Sequence, residues 1–169
     1  FVPKGMANYS KTSVNGYKYD PKKAQELLDS AGFPNGTNLP TITLTTTSSY
    51  IDLCEYIQHQ LSQIGVKIKI EIGTGASFLD MVANSKLEFF RGSWIADYPD
   101  PENYMALFYS KNHSPNGPNY THFNNPEFDS LYEKAMNELN DSVRFQLYKT
   151  MDQIIIDEAI IVPLFYDES

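Results

Sequence analysis

Three carboxylates, Asp97, Asp100 and Glu102, crowd behind the only tryptophan of the chain, Trp94, in the run Phe89-Phe90-Arg91-Gly92-Ser93-Trp94-Ile95-Ala96-Asp97-Tyr98-Pro99-Asp100-Pro101-Glu102. Clustered acids permit several chemistries. Two carboxylates facing one bond could act as general acid and base, as in glycoside hydrolysis. A single carboxylate could pair with a cationic amine taken out of water, a strong pairing only if it is also hydrogen-bonded. The plainest reading is a turn acid bonding its own backbone. Asp100, followed by Pro101, explains itself as a helix N-cap with a first-turn proline. Trp94 fits a pocket wall or core filling equally well, because a large aromatic buries much area in either role. Arg91 precedes it by three positions. On a strand the two point to opposite faces unless Gly92 makes a bulge, and a salt bridge is the plain role for the arginine.

A strand, polar turn, helix order is what should position this group. Leu87–Trp94 reads as a strand, Ile95–Glu102 as its terminal turn, and a helix follows from about Pro101 to Tyr109. Upstream, Thr41–Thr45 alternates as a strand. Leu53, Ile57, Leu61 and Ile64 recur at helical spacing up to Gly65, and Val66, Ile68, Ile70 and Ile72 alternate with charged residues. Strand, helix, strand here is a βαβ unit with parallel strands. Its first loop, Thr46–Tyr50, then lies at a strand's carboxyl end, where ligands of open α/β sheets bind. Thr46, Ser49 and Tyr50 are therefore candidate hydroxyl donors beside Trp94, Asp97, Tyr98 and Arg91, although Ser and Thr there could equally cap the helix.

The remaining elements are quickly placed. Residues 1–19 read as an irregular arm. Asp20-Pro21 opens a helix with Ala24, Leu27, Leu28 and Ala31 on one face, closed by Gly32. Ser77 with Asp80 resembles a capping box leading a helix through Asn84. Residues 110–124 form a long loop. Asn125-Pro126 caps a helix carrying Phe128, Leu131, Tyr132, Ala135 and Leu139 inward. Asp141 begins the last helix, with Leu147, Met151, Ile154 and Ile155 inward, and Ile160–Tyr166 is strand-like, with Pro163 confining it to an edge or bulge.

Composition narrows the classes. With 41% hydrophobic and 14% aromatic residues the chain is globular. A formal net charge of −8 argues against a nucleic-acid or anionic-membrane surface. The single Cys54 excludes an intrachain disulfide and a cysteine metal cluster. His59, His113 and His122 have no metal-ligand spacing and read as solvated. No phosphate loop, nucleophile elbow or dinucleotide fingerprint is present, and no cofactor is expected. The chain opens on Phe1 and ends three residues after its last strand-like run, so it reads as a piece of a longer protein.

Three stretches together resemble one family: Trp94-Ile95-Ala96-Asp97-Tyr98-Pro99-Asp100-Pro101, Asn124-Asn125-Pro126-Glu127-Phe128-Asp129, and Tyr19-Asp20-Pro21-Lys22-Lys23-Ala24-Gln25-Glu26-Leu27-Leu28-Asp29-Ser30-Ala31-Gly32-Phe33. They are similar to the extracytoplasmic oligopeptide-binding proteins of ABC importers, a family that includes dipeptide, nickel and haem binders. The resemblance implies an α/β, periplasmic-binding-protein-like (class II) lobe with a mixed sheet and flanking helices. Residues 1–169 would be one domain, most of the C-terminal lobe of a two-lobe protein. A solute, foremost an oligopeptide, would be held against a missing N-terminal lobe, and closure would signal to the membrane permease. Location would be periplasmic, or extracytoplasmic and lipid-anchored. Asp97 would pair with the peptide's α-amino group and Arg91 with its carboxylate. Two rival functions stay open: a hydrolase using Asp97 with Asp100 or Glu102, and an interaction module that keeps only the fold.

Overall fold

In this computed structural model residues 1–3, 6, 9 and 14–166 are described. Backbone contacts gather into two compact units within the 1–169 span, one made of 17–93 and the other of 1–16 with 94–169. The fold is α/β, with helices flanking a small sheet.

The 17–93 unit is built on the expected βαβ. Strand β1 (Ile42–Thr46) and strand β2 (Ile68–Ile72) pair in parallel, Ile42 opposite Ile68 and Thr46 opposite Ile72, with helix α2 (Ile51–Ser62) between them in sequence. Leu44, Cys54, Val66 and Ile68 form its buried core, with Ile42, Leu61, Ile64 and Ile70 packed around. Helix α1 (Pro21–Ser30) starts where the sequence says, because Asp20 accepts the Lys23 backbone N–H. Its expected inner face is only partly covered: Leu28 is half-buried, whereas Leu27 and Ala31 are exposed. Periodicity marks a face but not what lies over it.

Two sequence readings are corrected in this unit. Helix α3 (Gly75–Ala83) begins two residues before Ser77, so that serine lies inside the helix and no capping box forms. The 87–94 strand shrinks to one parallel bridge, Phe90 beside Thr45, made by Thr45 N–H to Phe89 O and Arg91 N–H to Thr45 O.

The other unit is helical. Helix α4 (Glu102–Met105) is one short turn rather than a helix to Tyr109. Helices α5 (Pro126–Met136) and α6 (Asp141–Asp157) pack on each other. Asn125 caps α5 by accepting the Glu127 and Phe128 N–H groups, and Asn140 caps α6 in the same way with Ser142 and Val143. Leu147, Met151 and Ile155 form one inward ridge of α6, with Tyr148, Asp152 and Ile156 beside it. Ile154 is half-buried and packs against the core of this unit as expected, whereas Leu139, beyond the end of α5, is 97% exposed against expectation. The core of this unit joins Met105, Phe108, Phe128, Tyr132, Tyr148, Met151 and Ile155. Each such side chain contributes about 1.5–3 kcal/mol on burial. Buried Asp152 accepts from the Phe1 amino nitrogen (2.6 Å), Val2 N–H (3.3 Å) and the Tyr9 hydroxyl (2.7 Å), which ties the start of the chain to α6. Residues 160–166 form no strand among the described residues: Val162, Leu164, Phe165 and Tyr166 are exposed and their backbone has no ladder partner.

Candidate functional site

The acidic turn of the second unit is a built structure. Trp94 and Ala96 pack against its core, so the chain enters the turn with its indole anchored. The indole N–H donates to Asn103 Oδ1 at 2.7 Å, and the Asp97 backbone N–H donates to the same oxygen at 3.3 Å. Tyr98 donates its hydroxyl proton to Glu102 Oε2, and Tyr132 of α5 donates to Glu102 Oε1. Asp100 Oδ1 accepts the Glu102 N–H at 2.8 Å, and its Oδ2 lies 3.4 Å from Arg144 of α6. Asp100 thus serves α4 as the sequence suggests, although the helix itself opens one residue later than Pro101.

Electrostatics follow from these contacts. Burial first, then the Glu102 carboxylate, holds the Tyr132 phenol well above the usual range. Tyr98 is raised for the same reasons in the same order, with a smaller opposing influence of Asn103. For Tyr148, burial and the nearby Asp100 charge push upward while Arg144 pulls back. All three phenols therefore keep their protons at ordinary pH, and Tyr98 and Tyr132 donate theirs to Glu102.

The three carboxylates separate into two roles. Glu102 has both oxygens engaged by phenols, and Asp100 is engaged by backbone and guanidinium. Asp97 is exposed, and its carboxylate makes no hydrogen bond or ion pair among the described residues. Ile95, 84% exposed, and Tyr98, 47% exposed, flank it.

The sequence candidates of the 17–93 unit form a separate group. Arg91 is half-buried and places its guanidinium 3.4 Å from the centre of the Tyr50 ring, a cation–π stack in place of the expected salt bridge. Ser49 is exposed in the one-turn 3₁₀ helix Ser48–Tyr50. Thr46 belongs to β1 rather than to the loop; it is fully buried and its hydroxyl has no partner among the described residues. A hollow of this unit lined by Gln58, His59, Ser62 and Lys67 lies elsewhere, and none of these candidates borders it. The histidines are less scattered than they read: His113 and His122 stack, with ring centres 4.8 Å apart and planes at 11°. No group of three metal-ligating side chains occurs among the described residues.

Asn103 was not legible as a site residue. A buried asparagine, 5% exposed, must find partners for its amide, but its partners lie six and nine positions back, at no helical or strand spacing. The only sequence signal is a polar residue in a short helix, directly before Tyr104 and Met105.

Comparison with known proteins bears on the arrangement. Residues 1–116 match the sequence profile of a family described as bacterial extracellular solute-binding proteins, family 5, middle part. The chain is 31% identical over 153 residues to the dipeptide-binding protein DppE of Bacillus subtilis, covering 88% of this chain and 27% of that protein. It is 27% identical over 173 residues to the oligopeptide-binding protein OppA of the same organism, covering 98% and 31%. Among solved structures it superposes with a TM-score of 0.80 on the ABC-transporter-associated periplasmic binding protein DppA of Helicobacter pylori, solved with the peptide STSA, at 33% identity over 88% of this chain and 29% of that one. A periplasmic oligopeptide-binding protein of Borrelia burgdorferi gives a TM-score of 0.78 at 28% identity, over 86% and 29%. The architecture is thus the class II periplasmic-binding-protein type. The chain spans between a quarter and a third of the length of these relatives.

Proposed function

We propose, for a chain that belongs to the family 5 bacterial extracellular solute-binding proteins, that it contributes the amine-recognising part of a peptide-binding receptor for an ABC importer. The observation that carries this is the Asp97 carboxylate: exposed, without a partner among the described residues, and standing on a turn whose other two acids are committed to protein groups. Such a carboxylate attracts a peptide's α-ammonium, and the pair gains strength once a covering surface excludes water. Trp94 supplies the wall from which the turn springs, and Tyr98 the aromatic rim beside it. Within the 17–93 unit, Arg91 with Tyr50, and Ser49, are that unit's candidate solute contacts. Thr46, being buried, would support the strand end beneath them.

Further support comes from relatives named for dipeptides and oligopeptides and from a peptide held by the Helicobacter protein. On this reading the rest of the protein supplies a second lobe, ligand shifts the population toward a closed form, and a membrane permease reads that form. The finer location is periplasmic or lipid-anchored outside the cytoplasm. Recognition needs no turnover, so no catalytic residue is assigned.

Titration calorimetry on the full-length protein tests the reading with two probes, trialanine and N-acetyl-trialanine. The parent should prefer the free amine. Asp97→Asn should lose about 2–5 kcal/mol of trialanine affinity, the range for removing one partner of a desolvated charge pair, with no effect on the acetylated probe. Because the Asp97 carboxylate has no partner among the described residues, this variant should unfold within about 0.5 kcal/mol of the parent. Unchanged trialanine affinity in Asp97→Asn refutes the role.

A further inference from the structure

Resting on the reading of Asp97 as the ammonium partner, we propose that Asn103 is the positioning residue of this site, one buried amide that fixes Trp94 and Asp97 together. Its Oδ1 accepts from the Trp94 indole at 2.7 Å and from the Asp97 backbone at 3.3 Å. Those two bonds use both lone pairs of the amide carbonyl. The amide carbonyl serves both donors without adding a charge. An aspartate would set a second charge against Glu102, and a leucine would satisfy neither donor.

The anchoring extends inward. Asn103 sits on α4, whose neighbours Tyr104 and Met105 are buried in the core. Glu102, the adjacent residue, is held by Tyr132 of α5. Asp97 itself projects from an exposed turn and gains no order from its own carboxylate. The direction of its side chain is therefore set by its backbone, and its backbone N–H is tied to Asn103. Without that tie the turn must be ordered when ligand arrives, and ordering one residue's backbone is worth on the order of tenfold in affinity.

The test uses the full-length protein, trialanine and N-acetyl-trialanine. Asn103→Ala should lower the preference for the free amine by about tenfold while affinity for the acetylated probe stays put. It should also shift the Trp94 indole N–H resonance. A folded Asn103→Ala protein with the parental preference overturns the inference and leaves the Asp97 reading standing. Equal or absent binding of both probes by the parent overturns the Asp97 reading, and this inference with it. Should the alanine variant not fold, hydrogen exchange on the parent decides. The Trp94 indole N–H and the Asp97 amide should exchange more slowly than the Ile95 amide, for which no partner occurs among the described residues. Equal rates refute the tie.

Discussion

Raising the pH should unfold this protein earlier than its tyrosine content alone requires. Tyr9, Tyr132 and Tyr148 are 3%, 7% and 1% exposed. Burial is the largest cause holding each phenol far above its usual range, with Asp152, Glu102 and Asp100 as the next contributors in turn. In the unfolded chain these phenols ionise near pH 10. Below about pH 9 both states keep the proton and the groups contribute no slope. Above about pH 10 the unfolded chain has released protons that the fold retains. The folded state then binds more protons, so stability falls as pH rises. Each phenol costs about 1.4 kcal/mol per pH unit in that window. At about pH 11 the three together remove about 4 kcal/mol, a large part of the roughly 5–15 kcal/mol that holds a typical domain. Tyr98 and Tyr109 are also raised but sit nearer solvent, where screening shrinks the effect.

Urea unfolding at steps between about pH 8 and about pH 11, followed beside phenolate absorbance, measures this slope. Tyr132→Phe sharpens the test. It removes one of the three phenols and should flatten the alkaline slope by about a third. At neutral pH it should cost about 1.5–3 kcal/mol, the worth of a hydrogen bond to a charged group. A parental slope that persists unchanged in Tyr132→Phe would show that Glu102 and its surroundings do not hold this phenol neutral. Titration of every tyrosine near pH 10 in protein that remains folded would refute the whole account.

Two further expectations concern the frame. Gly65 has φ +84, and a Cβ there would lie 1.9 Å from the Asn35 carbonyl oxygen; Gly32 has φ +88 but open space around it. Gly32→Ala should cost roughly 1–2 kcal/mol from strain alone, and Gly65→Ala about 2–5 kcal/mol because backbone must also move; equal losses in thermal unfolding would contradict the close approach. Asn125→Ala should cost about 0.5–2 kcal/mol by orphaning the Glu127 and Phe128 N–H groups, and a loss under a few tenths would show that the cap is dispensable.

What the sequence disclosed was what local chemistry decides. Asp20-Pro21 and Asn125-Pro126 marked helix starts because a cap and a first-turn proline act within four residues. The alternation of Ile42 and Leu44, and of Ile68 and Ile70, marked two strands that do pair. Readings failed where a partner at long range decides. Residues 160–166 make a strand-like apolar run, yet strand structure exists only against a ladder, and none of the described residues provides one. Leu27 carries the right period on α1 but stays exposed among the described residues, and Leu139 lies beyond the end of α5. Arg91 meets Tyr50 across 41 positions, and no spacing rule predicts that contact.

The same distinction decides between recognition and acid–base chemistry at the central turn. Three acids in six residues suggest a catalytic pair when read as a string. The two-carboxylate chemistry that the string suggests, however, needs a second acid free to hand over or receive a proton. Glu102 accepts hydrogen bonds from the Tyr98 and Tyr132 hydroxyls, and Asp100 accepts the Glu102 N–H with Arg144 close by. Drawing either into catalysis would break the bonds that shape the turn. Asp97 is left uncommitted among the described residues. The turn therefore supports the proposed pairing of Asp97 with an ammonium group better than it supports a catalytic pair of its own carboxylates.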